Sequence, residues 1–351
     1  MDILRVVVIL ASLSIGNRAS HMEGQIRYKA IELPSIPGQP QTHVAAINNI
    51  GQIVGYSFPP DPQSKGPYET TGIYWHGDQT VYLRNGILVF DINNNWQIIG
   101  QRWSPPLSVV YGSIKPDGLV KLKLVPNNNS NLFLGMINDH SQMAGFYTAK
   151  VAIPCICQNG KRRVLPMPHG WNSGSAVAIN EHGDAVGWAQ NPHLEGEGFK
   201  ESLLWQDGQV RVLGVLPGYQ ASTPAAISDS GEIVGSSWNV DNIGDALMTP
   251  YIWRNGQMSP LASRLDSKRI SSKPSSINDA GLIVGTAQLS PRNSHACLWE
   301  HGVMMDLNDM AVLPSGVVLW SAVGINNIGQ IVCDGRVDGQ WRAFLLTPVH
   351  D

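Results

Sequence analysis

Positive charge is scarce in this sequence and is almost never clustered. Asp, Glu, Lys and Arg together make up 15% of the 351 residues, and the formal net charge is -3. The longest basic run is Lys161-Arg162-Arg163. A protein that neutralises nucleic-acid phosphates needs a basic patch or stripe. The composition therefore argues against a nucleic-acid partner.

Cysteine is also rare, with only Cys155, Cys157, Cys297 and Cys333. Their spacing matches neither a small disulfide scaffold nor a zinc site with paired Cys-x-x-Cys ligands. Each falls in a segment with the pattern of a β-strand. We expect four buried free thiols that act as small apolar side chains, and no metal site.

The sequence lacks the short motifs of the common enzyme classes. It has no His-Glu-x-x-His, no Gly-x-Ser-x-Gly, no phosphate-binding Gly-x-x-x-x-Gly-Lys, no dinucleotide fingerprint and no acidic calcium loop, so no cofactor is predicted. The sharpest polar cluster is His193, Glu195 and Glu197. Alternate residues of an extended segment project to one side, which suits acid–base chemistry or cation binding. The flanking Gly196 and Gly198 favour instead a flexible, solvated loop.

The first 22 residues resemble a short secretory leader. Arg5 precedes an apolar run over residues 6–13, and Ser14 and Gly16 offer small residues for cleavage. Ser20-His21-Met22 is typical of a cloning junction, so a vector-derived leader is the alternative. Either origin excludes 1–22 from the fold, leaving 23–351 as a single domain. No stretch is long and apolar enough for a membrane-spanning helix.

One pattern recurs along the rest of the chain: Ala-Ile-Asn, a short variable segment often ending in Gly, then two aliphatic residues and Gly. Successive isoleucines of this motif are separated by 45, 45, 42, 48, 50 and 48 residues. Such a period indicates stacked or ring-forming repeats. The repeat cores are 45–57, 90–103, 135–147, 177–189, 225–238, 275–287 and 323–336.

Each period has room for four strands of ordinary length, with a tight hairpin at the Asn-x-x-Gly segment. The paired aliphatics, such as Ile53-Val54, do not alternate with polar residues, so both faces of that strand should be buried between neighbouring sheets. The last repeat ends after three strands, and residues 26–34 match a fourth. The sequence therefore predicts an all-β, seven-bladed β-propeller whose N-terminal strand completes the last blade and closes the ring.

The Ile-Asn-x-x-Gly-x-Ile-Val-Gly cores, with runs such as Ala343-Phe344-Leu345 and His295-Ala296-Cys297-Leu298, resemble the HAF-repeat proteins over residues 26–348. These proteins are often described as probable extracellular repeat proteins. The resemblance implies a propeller-like fold and a secreted or periplasmic (cell-envelope) location, and it implies no catalytic residues. The second and third repeats lack the turn glycine, which makes their regularity the weakest part of the prediction.

Aromatic residues are concentrated in the predicted loops at one end of the ring, where recognition sites usually lie. We expect these loops to bind a glycan or a protein partner, because aromatic rings anchor both. The alternative is that the rings fill gaps between blades. Trp75, Trp205, Trp253 and Trp299, within strands, are assigned to packing between blades. The predicted ligand-binding residues are Arg102, Trp103, Trp171, Trp188, Tyr219, Trp238 and Trp320.

Three functions remain open from the sequence. The first is a non-catalytic binding scaffold of the cell envelope or exterior. The second is a polysaccharide lyase or glycoside hydrolase with its site in the central funnel, which two carboxylates, or a His with a Tyr or Arg, near the axis would favour. The third is a structural or oligomerisation module, which a large exposed apolar face would favour. The oligomeric state is left open.

Overall fold

A computed structural model describes residues 27–59, 70–102, 108–115, 120–124, 131–192, 199–239, 248–262, 271–290 and 292–349. Seven antiparallel sheets of four main strands each follow one another around a ring, so the predicted seven-bladed β-propeller is confirmed. The predicted leader, 1–22, lies outside the described residues.

The strands of the first three blades are as follows. Blade 1 comprises β2 (Gln41–Ile47), β3 (Ile53–Phe58), β4 (Thr71–His76) and β5 (Gln79–Asn85). Blade 2 comprises β6 (Ile87–Ile92), β7 (Gln97–Arg102), β8 (Ser108–Ile114) and β9 (Val120–Leu124). Blade 3 comprises β10 (Asn131–Ile137), β11 (Met143–Thr148), β12 (Ala152–Gln158) and β13 (Lys161–Val164).

The next three blades have the same order. Blade 4 comprises β14 (Gly174–Ile179), β15 (Ala185–Gln190), β16 (Lys200–Gln206) and β17 (Gln209–Gly214). Blade 5 comprises β18 (Ala221–Ile227), β19 (Ile233–Trp238), β20 (Met248–Arg254) and β21 (Gln257–Pro260). Blade 6 comprises β22 (Ser272–Ile277), β23 (Ile283–Ser290), β24 (Asn293–Glu300) and β25 (Val303–Asp306).

Blade 7 joins the two ends of the chain. It contains β27 (Val317–Ile325), β28 (Ile331–Val337) and β29 (Gln340–Pro348), and β1 (Tyr28–Glu32) pairs antiparallel with β29 as the fourth strand. A two-residue strand, β26 (Ala311–Val312), adds a parallel pairing to β1 after the single-turn helix α1 (Leu307–Met310). The predicted N-terminal closure is confirmed. An ion pair between Arg27 and Glu300, with 2.7 Å between Nη1 and Oε2, also ties this end to blade 6.

The paired aliphatic residues face two different neighbours, as predicted. In blade 1, Ile53 packs in a cluster with Val332 and Ala343 of blade 7, whereas Val54 packs in a cluster with Val89 of blade 2. Because every blade is covered on both sides, the cores between blades form a continuous ring.

The strand tryptophans contribute to this packing, as predicted. Trp75, Trp205, Trp253 and Trp299 are at most 8% exposed. Three of them also donate from the indole N–H to a carbonyl in the segment that enters their own blade, at 2.6–2.9 Å: Trp75 to Pro34, Trp205 to Pro166 and Trp299 to Ala262. The indole therefore anchors the connecting segment as well as filling the gap between blades.

The glycine after the aliphatic pair is explained by a β-bulge in the innermost strand. In blade 4 the register shifts between Ala176 and Ala178, and a Cβ on Gly187 would lie 2.0 Å from the Ser175 carbonyl oxygen. Glycine is required there because the backbones approach too closely for a side chain. Blade 7 differs, since Cys333 occupies this position and β27 carries a second register shift, between Leu319 and Ser321.

Blades 2 and 3 are regular despite lacking the turn glycine. Trp96 and Ser141 take its place with φ of 62° and 60°. Positive φ is unfavourable for a bulky residue, and the Trp96 ring packs against Tyr74 and His76 of blade 1, with centroids 6.4 and 5.9 Å away. Packing between blades therefore maintains a turn that the local sequence disfavours.

The described residues include four buried free cysteines, as expected. Cys155 and Cys157 share one face of β12, and burial raises the pKa values of Cys297 and Cys333. No helix in the described part of the chain is long and apolar enough to cross a membrane.

Candidate functional site

The ring has two chemically different ends. At the hairpin side, the turns between the first and second strands of each blade surround the axis. An open depression of about 180 Å³ there is lined by the motif isoleucines and the residues that follow them. At the loop side, the innermost strands begin and the second strands end, so residues such as Arg102, Trp238 and Trp320 lie toward that end.

Two sets of hydrogen bonds connect the turns at the hairpin side. The motif asparagine binds its own turn, since Asn48 Oδ1 accepts from the N–H groups of Ile50 and Gln52. The tight hairpin predicted at this segment is confirmed. Its amide also donates to the carbonyl of the corresponding residue in the next blade. These bonds, of 2.9–3.2 Å, run from Asn48 to Asn93, Asn93 to Asn138, Asn138 to Asn180, Asn180 to Ser228, Asn278 to Asn326 and Asn326 to Asn48.

The residues that follow the asparagines form a second set, named here the hairpin-side ring: Asn49, Asn94, Asp139, Glu181, Asp229, Asp279 and Asn327. The main-chain N–H of each donates to a side-chain oxygen of the next member at 2.7–3.1 Å, and the seven links close on themselves. Sequence reasoning missed this ring, although the repeated Asx or Glu after Ile-Asn was visible.

Four consecutive members of the hairpin-side ring carry carboxylates. Burial, followed by the charge of Asp139, raises the pKa of Glu181. Within the described ranges, no three His, Cys, Asp or Glu side chains are placed to hold a metal ion. Because the carboxylates accept main-chain N–H groups from the preceding blade, their observed role is to connect blades.

A buried acid lies beneath this ring. Asp91 accepts the N–H groups of Ile92 and, across the blade boundary, Ile137, both at 2.8 Å. Burial is the largest effect on this carboxyl and raises its pKa to about 7, while the two N–H donors act in the opposite direction. Protons therefore leave this group near neutral pH.

The loop side of the axis is surrounded by seven cross-strand pairs at equivalent positions, named here the loop-side ring. Each pair joins one residue of the innermost strand to one of the second strand. The pairs are His43 and Tyr56, Leu88 and Gln101, Phe133 and Phe146, Ser175 and Trp188, Thr223 and Ser236, Lys273 and Thr286, and Ser321 and Asp334.

The loop-side ring is chemically asymmetric. Aromatic or aliphatic members occur in blades 1 to 4, whereas blades 5 to 7 carry only hydroxyl or charged members. Neighbouring blades also contact each other through it: the Thr286 and Ser321 hydroxyls are 2.6 Å apart, and His43 Nδ1 is 2.8 Å from Asp334 Oδ2. A ligand at this end would meet apolar rings on one side and hydrogen-bonding groups on the other.

The densest cluster lies where blade 7 meets blade 1, and we name it the blade 7–1 patch. Its members are His43, Tyr56, Phe58, Trp320, Asp334, Arg336 and Trp341. The His43 ring stacks on Tyr56 and Phe58, each with a centroid distance of 5.4 Å, and lies 5.2 Å from Trp341. Asp334 accepts both from the main-chain N–H of Val44, at 2.9 Å, and from His43 when Nδ1 is protonated.

Arg336 lies over two indole rings in this patch. Its guanidinium carbon is 4.6 Å from the centroid of Trp320 and 4.5 Å from that of Trp341, and the two rings meet edge to face. Its Nε is buried and finds no hydrogen-bond partner among the described residues. Stacking on aromatic rings fixes the guanidinium plane, while this donor is left without a protein acceptor.

Burial, and secondly the Asp334 charge, raise the pKa of Tyr56, so its phenol stays protonated at neutral pH. The His43 and Asp334 side chains are 14% and 16% exposed, which leaves them close to solvent without being surrounded by it. The patch thus combines a hydroxyl donor, a His–Asp pair and a stacked cation.

Departures of blade 7 from the repeat build this patch. The extra register shift inserts Trp320 opposite Gly335 and Asp334, and bulges commonly redirect side chains in this way. The connection between β28 and β29 is also short. The turn contains only Asp338 and Gly339, both with positive φ, so β28 and β29 extend far enough to pair Arg336 with Trp341.

The other predicted ligand-binding residues are dispersed over several blades. Trp188 lies beneath the Lys200 ammonium, 3.9 Å from the ring centroid. Trp171 and Tyr219 pack against buried clusters, and the Tyr219 hydroxyl is 2.6 Å from Thr249 Oγ1. Trp238 pairs with Ala221 and Met248 at the end of β19.

Arg102 ends β7 opposite Ile87 and Ser108. Trp103, and the weak catalytic candidates His193, Glu195 and Glu197, lie outside the described residues. Of the predicted ligand-binding residues that the structure describes, only Trp320 belongs to the blade 7–1 patch.

The predicted ligand-binding set did not include the other patch members, which are His43, Tyr56, Phe58, Asp334, Arg336 and Trp341. The sequence carried a signal for two of them. Tyr56 directly follows Ile-Val-Gly in blade 1, and Asp334 directly follows Ile-Val-Cys in blade 7, at a position that varies between repeats. Aligning the repeats at that position gives one member of every pair in the loop-side ring.

The fold and these sites define a closed seven-bladed β-propeller with an aromatic and cationic patch at one end. No protein-family model matches the chain, and no curated protein matches it significantly. Among solved structures, it is similar to the β-propeller domain of the Trilobed protease from Pyrococcus furiosus, with a TM-score of 0.58 and 11% identity over 89% of this chain and 97% of that one. That propeller has an open velcro topology, whereas here β1 closes the ring.

Two further structures share the fold. YCF48 bound to D1 peptide has a TM-score of 0.54 and 12% identity, covering 93% of this chain and 96% of that one. Streptogramin B lyase has a TM-score of 0.54 and 11% identity, covering 93% of this chain and 100% of that one. At these identities the likeness extends to the fold alone.

Proposed function

We propose that this protein is a non-catalytic binding scaffold whose ligand docks on the loop side, centred on the blade 7–1 patch. The observation that carries the proposal is the stacked Arg336 with its unpartnered Nε beside half-buried aromatic rings. Aromatic side chains and arginine are the residue types that dominate binding sites, because they combine large apolar area with directional polar contacts.

The partner class proposed is a glycan or a protein. YCF48, of similar fold, is described in complex with a peptide, which supports a protein partner for this architecture. The asymmetric loop-side ring supports a glycan, since sugar rings stack on aromatic faces and exchange hydrogen bonds with hydroxyl groups. We place the protein in the cell envelope or outside the cell, supported by the leader-like segment and the HAF-repeat resemblance.

The test is a glycan array and a peptide array probed with the full-length protein and with Trp341→Ala. A matched control is Trp96→Ala, which removes an indole on the opposite, hairpin side of the ring. We expect ligands whose retention is lost in Trp341→Ala and kept in Trp96→Ala, with both variants retaining cooperative unfolding. Retention that is unaffected by Trp341→Ala would place the site elsewhere.

A second candidate function is an enzyme acting on polysaccharide, favoured by the His43–Asp334 pair beside the protonated Tyr56. In an elimination, a base removes the proton α to the sugar carboxylate, the C–O bond at the β carbon breaks, and an acid protonates the leaving oxygen, leaving a C=C bond. His43 would be the base and Tyr56 the acid. Turnover of an acidic polysaccharide to unsaturated products, abolished by His43→Gln, would support this candidate over pure binding.

The structural or oligomerisation alternative receives less support. The large exposed apolar residues include Ile31, Val164, Val212 and Val303, which lie on outer strands of blades 7, 3, 4 and 6 respectively. Such scattered exposure is ordinary for a surface.

A further inference from the structure

Arg336 has the properties of an anion-binding group. An arginine that stabilises the fold through charge usually pairs with a carboxylate, as Arg27 does with Glu300 and Arg342 does with Glu32 at 3.1 Å. Arg336 has no ion pair with a described carboxylate, and two indoles hold its guanidinium instead.

The nearest acid in the patch is already engaged. Asp334, two residues away on β28, accepts from the Val44 N–H through one oxygen and faces His43 Nδ1 through the other. Both of its oxygens therefore have contacts in blade 1. The buried Nε of Arg336 remains a donor without an acceptor in the described part of the chain, a state that costs free energy unless a ligand supplies the acceptor.

The chemistry that satisfies such a group is a planar carboxylate. A guanidinium presents its donors in a fixed fork that matches two carboxylate oxygens, and stacking on Trp320 and Trp341 orients that fork in advance. The surrounding groups suit a sugar. Tyr56, Phe58 and Trp341 present aromatic rings, while Ser321 of blade 7 and Thr286 of blade 6 supply hydroxyls. Peptide recognition by β-strand addition would need an unpaired strand edge, and the Val44 N–H on the free edge of β2 is occupied by Asp334.

We infer that the blade 7–1 patch recognises a carboxylate-bearing sugar, such as a uronic acid unit of an acidic polysaccharide, with Arg336 binding the carboxylate. This inference rests on the proposed binding function and adds the ligand class. The geometry assigns Trp320 and Trp341 a positioning role toward Arg336.

The experiment compares polygalacturonate and alginate with the same polymers after reduction of their carboxyl groups, using affinity electrophoresis and calorimetry on the full chain. We expect the acidic polymers to bind and the reduced polymers to bind at least about tenfold more weakly, as expected for loss of a charge-assisted hydrogen bond. This arm uses the unaltered protein and does not depend on whether a variant folds.

The variant arm uses Arg336→Gln, Arg336→Lys and, as a matched control, Arg342→Gln. Arg342 lies on the adjacent strand at the same end, but its guanidinium is bound by Glu32, Pro40 and Gln340. We expect Arg336→Gln to weaken binding by about 10- to 100-fold, Arg336→Lys to weaken it less, and Arg342→Gln to retain it.

The outcomes separate the two levels of the proposal. Equal binding of acidic and reduced polymers, or binding unchanged in Arg336→Gln, overturns the carboxylate inference. Another outcome is that Trp341→Ala loses binding of a neutral glycan or a peptide while Arg336→Gln keeps it. That outcome also overturns the carboxylate inference, but it supports the proposed binding function. Binding of poly-glutamate without binding of any polysaccharide overturns the sugar assignment.

Discussion

The buried carboxyl of Asp91 makes the stability of the propeller depend on pH in a specific direction. In the folded chain its pKa is raised from the model-compound value of 3.8 to about 7. At a pH between these two pKa values, the unfolded chain has released a proton that the folded chain still holds. The stability from this group is therefore full below about pH 3.8, falls as the pH rises from there, and is fully lost above the folded pKa of about 7.

The magnitude follows from the size of the shift. A change of about three pKa units corresponds to roughly 4 kcal/mol, since each unit is worth about 1.4 kcal/mol. This figure is an upper limit. The N–H groups of Ile92 and Ile137 stabilise the ionised carboxylate of Asp91, and a small local rearrangement would let water stabilise it further. Asp91→Asn keeps the shape and cannot ionise, although its amide accepts only one of the two N–H groups well.

The assay is urea unfolding of the wild type and Asp91→Asn at about pH 4 and about pH 8. We expect the two proteins to agree within about 1 kcal/mol at the lower pH, and the variant to be more stable by about 2 kcal/mol at the higher pH. Asp207→Asn, in an exposed turn, controls for removal of one negative charge. An equal loss of stability between the two pH values in wild type and Asp91→Asn would falsify the reasoning.

Three further predictions concern the fold. Gly187→Ala should lower the free energy of unfolding by about 3 kcal/mol or more, because the new Cβ would meet a main-chain oxygen. Gly135→Ala should be tolerated, because its Cβ would meet only Phe133, at 3.5 Å. Equal melting temperatures for the two variants would contradict this prediction. His301→Asn should raise the free energy of unfolding by about 0.5–1 kcal/mol, because His301 and Gly302 both have positive φ in a tight turn where Asn-Gly is preferred. A lower denaturation midpoint for this variant would contradict the prediction. Removing residues 1–33 should abolish cooperative unfolding, because β29 would lose its pairing with β1, and Phe344 and Leu346 would lose their packing against Tyr28. A truncated protein with an unchanged unfolding transition would show that β1 is dispensable.

The architecture was predictable because each blade repeats the same local sequence pattern. The Ile-Asn spacing gave the number of blades, and the unmatched strand at each chain end gave the closure. The required glycines were also visible, and Gly187 and its equivalents now have a physical cause in the bulge carbonyl. Cys333 takes the same position in blade 7, and the different innermost strand of that blade was not predicted.

The candidate site was harder to predict because it depends on departures from the repeat. Trp320 was identified as a loop aromatic, yet its neighbours Arg336 and Trp341 come together only because the 338–339 turn is tight and β27 contains an extra bulge. His43 and Asp334 are 291 residues apart and meet only when the ring closes. Contacts across the closing boundary leave no local signal in a sequence.

The closure of the ring also has a kinetic consequence. An open array of repeats folds and unfolds unit by unit, because each unit contacts only its neighbours. Here β1, the first strand in the described part of the chain, pairs with β29, the last, and the Asn327 N–H reaches Asn49 across the same boundary. During synthesis, β1 and the turn at Asn49 are made first and must wait for their partners until the final strand has emerged. The blade 7–1 patch spans that boundary, so this patch is assembled only once blades 1 and 7 have met.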